Sequence, residues 1–105
     1  MEEKNLTGYP SIDKPWLKYY SEEAINAKLP ECSMYDYMKS CNDGLATQTS
    51  LNYFGREISY KIMLERIDTC AKALTAQGVK RGDVVSLCLL TMPEAVFLLY
   101  AINKI

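Results

Sequence analysis

The chain reads as part of an α/β domain: a hairpin, a long helix, a buried strand and a second helix, in that order. Three observations carry this reading. Residues 50–60 alternate around a glycine, residues 60–74 hold an unbroken apolar stripe at helical spacing, and Val84–Leu90 is almost continuously apolar.

The first 32 residues differ from the rest. They hold Pro10, Pro15 and Pro30 of the four prolines, and the single tryptophan, Trp16. Prolines at this density interrupt regular structure. We therefore divide the chain into a Pro/aromatic-rich leader, 1–32, and an incomplete α/β subdomain, 33–105. The leader is expected as an extended arm that packs its aromatics on a neighbouring body, or as a partly disordered terminus.

Ser33 is the expected N-cap of a short helix, with Met34, Tyr37, Met38 and Cys41 on its apolar face. Asn42-Asp43-Gly44 stops it. Ser50–Phe54 then alternates as a strand, Gly55-Arg56 serves as a two-residue type II′ turn, and Glu57–Tyr60 returns. Ser59 should cap the long helix. Its stripe is Tyr60, Met63, Leu64, Ile67, Cys70, Ala71 and Leu74, and Gly78 suits the left-handed residue that closes it. Lys80-Arg81-Gly82-Asp83 is a solvated turn. Val84–Leu90 follows as a strand buried on both faces, as in a parallel sheet. Thr91 is the expected cap of the last helix, with Pro93 in its first turn. Residues 96–102 are apolar around nearly the whole helix, so this element also calls for cover on all sides.

Burial on that scale exceeds what the chain can supply. Six apolar side chains of Val84–Leu90 are worth roughly 1.5–3 kcal/mol each when fully buried. Leaving one face wet forfeits a sum comparable to a whole domain's stability, about 5–15 kcal/mol. One helix and one hairpin cannot cover both elements. The expected partners are therefore the remainder of a larger protein or a second copy of the chain.

Composition narrows the chemistry. Histidine is absent, which removes Ser-His and Cys-His nucleophile pairs and imidazole metal ligands. Net charge is −1 and the basic residues are scattered, so nothing indicates nucleic acid. No run approaches the ~20 apolar residues of a transmembrane helix. Cys32, Cys41, Cys70 and Cys88 form no C-x-x-C pair and read as reduced thiols, some of them buried, in a cytoplasmic protein. Asn5-Leu6-Thr7 fits a glycosylation pattern by chance. Glu94 reads as a helix N-terminal carboxylate, with a place beside a substrate channel as the alternative. The Tyr19/Tyr20 and Tyr35/Tyr37 pairs read as packing groups.

Tyr53-Phe54-Gly55-Arg56-Glu57-Ile58-Ser59-Tyr60, Ala73 to Val85 with its Gly78-Val79-Lys80-Arg81-Gly82-Asp83-Val84-Val85 core, and Met92-Pro93-Glu94 resemble the start of the adenylate-forming, AMP-binding superfamily. The resemblance spans about residues 45–105. The Pro15–Tyr20 cluster is more similar to acyl-CoA synthetases than to peptide-synthetase adenylation domains. The resemblance implies a segment of an acyl-CoA synthetase-like large domain, with ATP, Mg and coenzyme A as cofactors of the full-length ligase, in fatty acid metabolism. It carries no catalytic, cofactor-binding or metal-binding residue onto this chain, which is expected to be inactive alone. The family's capping glutamate is replaced by Ile62, at a cost of about 1 kcal/mol or less. The alternative is a stand-alone α/β interaction domain that self-associates.

Overall fold

The computed structural model describes residues 6–105. Asn5 of the glycosylation pattern lies outside them. The chain divides into two compact units, the first ending at Pro30 and the second running from Glu31 to Ile105.

The first unit is neither an extended arm nor featureless. Two of its three prolines start turns instead of breaking them. Pro10 opens helix α1, Pro10–Asp13, and Pro15 opens a 3-10 turn, Pro15–Tyr19. At a first helical position proline lacks only an N–H that would have no partner anyway. Asp13 accepts from the Thr7 backbone N–H at 3.0 Å, the Thr7 hydroxyl at 2.8 Å and the Gly8 N–H at 2.9 Å. The Thr7 bonds, main chain first, hold its carboxyl below the usual aspartate value, with Gly8 adding to them against a small burial effect. Ser21 caps α2, Glu22–Asn26, by accepting from the Ala24 N–H at 3.2 Å. None of these three turns contains a buried residue.

The second unit holds the core. Helix α3, Met34–Cys41, starts at Ser33, whose hydroxyl accepts from the Asp36 N–H at 3.1 Å. Its buried face differs from the expected one. Met34, Tyr37 and Cys41 are exposed, while Tyr35 is buried and Met38 packs beside it. With only two turns the apolar residues fit more than one face, and a tertiary partner selects between them.

Strands β1, Thr49–Tyr53, and β2, Arg56–Ser59, pair antiparallel. The register sets Tyr53 against Arg56, so the turn residues are Phe54 and Gly55, one position earlier than expected. Both have positive φ, 48° and 86°, the signature of type I′ and not type II′. Asn52 Oδ1 supports the turn by accepting from the Gly55 N–H at 3.0 Å. An irregularity between Thr49 and Leu51 frees the Ser50 hydroxyl to donate to the Ile58 carbonyl at 2.8 Å.

Helix α4, Tyr60–Ala76, follows β2 directly. Ser59 Oγ accepts from the Ile62 N–H at 3.4 Å, while Tyr60 and Lys61 donate to the carbonyls of Gln48 and Ala46, both at 3.0 Å. Main-chain acceptors thus satisfy donors that every helix start leaves open, and the missing capping glutamate matters little. The expected stripe is the one that packs: Met63, Ile67 and Ala71 are buried, with Tyr60, Leu64, Cys70 and Leu74 against them. At the far end Val79 N–H reaches the Leu74 carbonyl at 3.1 Å and Gly78 N–H the Thr75 carbonyl at 2.9 Å. That pair of bonds is a Schellman closure, and it requires the φ of 96° that Gly78 supplies.

Helix α5, Pro93–Lys104, crosses α4 and buries Pro93, Phe97 and Ala101. These residues lie at i, i+4 and i+8, a single stripe. Leu99 faces outward, so the all-round burial expected for this helix is not reached within the chain. Its N-cap is Met92, without a side-chain bond, and not Thr91. Proline at the first helical position already sets the backbone angle there. Together with Tyr35 and Ile58, the α4 and α5 stripes complete the core.

The buried strand is the main departure. Val84–Leu90 belongs to no sheet, and among the described residues its backbone makes no hydrogen bond to other backbone. Val84 is 96% exposed, Leu90 80%, Leu89 50% and Leu87 39%. Among the described residues the sheet contains β1 and β2 alone, and this run has no strand beside it. The mixed α/β character holds, but as a partial domain whose central strand lacks a ladder. Among the described residues no helix is long and apolar enough to cross a membrane.

Candidate functional site

Three places in the second unit collect chemistry. The first is the junction of α3, α4 and α5. The last turn of α5 presents Asn103 and Lys104. Asn103 Oδ1 accepts the backbone N–H of Tyr35 at 2.8 Å. Lys104 pairs with Asp68 of α4, donates to the Tyr35 hydroxyl at 3.2 Å, and lies 4.7 Å above the Tyr35 ring. The Asp68 carboxylate is the main reason the Lys104 ammonium is held above the usual lysine value; partial burial opposes this, and Tyr35 supports it. The junction is a structural clasp: its acid and base pair with one another and tie α5 to α4. Sequence reasoning missed it, although two polar residues closing an otherwise apolar helix were a usable signal.

The second place is a cleft lined by Arg56, Arg66, Thr69, Cys70, Glu94 and Phe97. Glu94 sits in the first turn of α5 and is exposed, as a carboxylate favoured by the helix dipole would be. It forms no ion pair with either arginine within 4 Å.

The third is the surface formed where Leu87, Leu89 and Leu90 approach Val96 and Leu99 of α5. It is apolar and open. Val84 and all of residues 86–90 are exposed, and within this run Val85 alone is half-buried.

The remaining residues singled out from sequence do not converge. Lys80–Asp83 is a turn in which Asp83 Oδ2 accepts from the Lys80 N–H at 3.0 Å and Asp83 N–H bonds the Lys80 carbonyl at 3.1 Å. Gly82, at φ 92°, permits its shape. Tyr35 is core, whereas Tyr37, Tyr19 and Tyr20 are exposed. The neighbouring Cys41 thiol raises the Tyr37 phenol above its usual value, with a smaller push from Cys32. All four cysteines are free; Cys70 is half-buried and the other three are exposed, so none is a fully buried core thiol. Among the described residues no three His, Cys, Asp or Glu side chains gather as a metal site.

The family model described as AMP-binding enzyme matches residues 41–105. The chain is similar to acetyl-coenzyme A synthetase 1 of Candida albicans, 45% identical over 51 residues, which is 49% of this chain and 8% of that protein. It is 40% identical over 48 residues to acyl-CoA synthetase short-chain family member 3, mitochondrial, of Mus musculus, covering 46% of this chain and 7% of that protein. Acetyl-coenzyme A synthetase 1 of Saccharomyces cerevisiae is 40% identical over 52 residues, again 49% of this chain and 7% of the relative. The chain thus spans less than a tenth of the length of these relatives. No solved structure matches it. The matched region begins in the last turn of α3 and takes in the hairpin, α4, the unpaired apolar run and α5, and on that match the chain belongs to the AMP-binding enzyme family.

Proposed function

We propose that this chain is an N-terminal scaffold segment of an AMP-forming acyl-CoA synthetase acting on short-chain carboxylates. The parent reaction joins a carboxylate to ATP, releasing pyrophosphate and leaving an acyl-adenylate. The thiol of coenzyme A then displaces AMP to give acyl-CoA. In this reading residues 1–32 are a leader and residues 33–105 belong to the large domain. The setting is a reducing cytoplasm, in keeping with the four free thiols.

The observation that carries the proposal is the coincidence of the family match with the unpaired Val84–Leu90 run. A segment this apolar is stable only beneath other structure. The same run is where a copy of the chain would attach if the rest of a large domain were absent.

The described residues do not fit the nucleotide. A phosphate cradle needs clustered backbone N–H groups from a Ser/Thr/Gly-rich loop. Here Gly44, Gly55, Gly78 and Gly82 stand singly, one to each turn or helix end. ATP, Mg and coenzyme A are therefore assigned to other parts of the parent ligase, and no step is routed through this chain. Acetate-dependent exchange between pyrophosphate and ATP tests the assignment. The chain by itself is expected to give none, and robust exchange would show that it carries its own active site.

A further inference from the structure

We draw no further inference here: the strongest candidate, the cleft in which the exposed Arg56, Arg66 and Glu94 meet the half-buried Cys70 beside the first turn of α5, lies inside the family-matched region of a chain spanning under a tenth of its relatives, and nothing in the structure points to a ligand there or shows what covers it.

Discussion

Asn103 Oδ1 accepts the backbone N–H of Tyr35 across 2.8 Å, so the last turn of α5 caps the first turn of α3 over 68 residues of sequence. Ser33 satisfies the Asp36 N–H locally, and Asn103 satisfies the next open donor from a distance. The bond fixes which face of α3 turns inward and places the Tyr35 ring in the core.

Replacing Asn103 with alanine should leave that part-buried N–H without a partner, at about 1–3 kcal/mol. Urea unfolding should show a lower midpoint, and hydrogen exchange should rise first in α3. Asn103→Asp keeps an acceptor and should recover most of the loss. An unchanged midpoint in Asn103→Ala would mean that water replaces the side chain.

The Lys104–Asp68 pair has a predictable pH dependence. The folded chain raises Lys104 above its ordinary value near 10.4, so the pair's contribution is complete below about pH 10. It fades as pH rises through the higher folded value. Both side chains are more than a third solvent-exposed or close to it, which limits the pair to about 1 kcal/mol or less. Lys104→Met should therefore lower stability slightly at neutral pH, and the difference from the native chain should vanish in strong alkali. A difference that grows with pH would contradict this origin.

Phe54 stands at the hairpin tip with φ 48° and 94% of its surface exposed. Its one aromatic contact is an edge-on approach to Tyr53, ring centres 4.7 Å apart. Left-handed backbone costs an ordinary L-residue roughly 1–2 kcal/mol, and asparagine tolerates it best among non-glycine residues. Phe54→Asn should thus stabilise the unit by about 0.5–1 kcal/mol, because relief of strain exceeds the loss of an exposed ring contact. Thermal unfolding would read this as a higher midpoint; a lower one would show that the Tyr53 contact dominates.

Ile67 is completely buried at the middle of α4. Ile67→Ala should cost about 2–5 kcal/mol from lost transfer energy and the cavity left behind. In a unit with so small a core that loss should abolish cooperative unfolding by denaturant. A variant that still unfolds with a sharp transition near the native midpoint would show that the core repacks.

The elements that sequence alone determined are those whose signals are local. The stripe of α4 runs for over four turns, so only one face fits it, and Ser59 and Gly78 mark its ends by backbone chemistry that needs no distant partner. The hairpin was legible for the same reason, and its turn was misplaced by one residue because Phe54 takes a conformation that side chains normally avoid. What required the tertiary structure was every choice between faces. Two-turn α3 admits several apolar faces, and Asn103 and the core select Tyr35. The apolar content of Val84–Leu90 predicted a buried strand, but the run is exposed here, because a strand exists only where another strand meets its hydrogen bonds. Local periodicity sets what an element can become, and long-range partners decide whether it does.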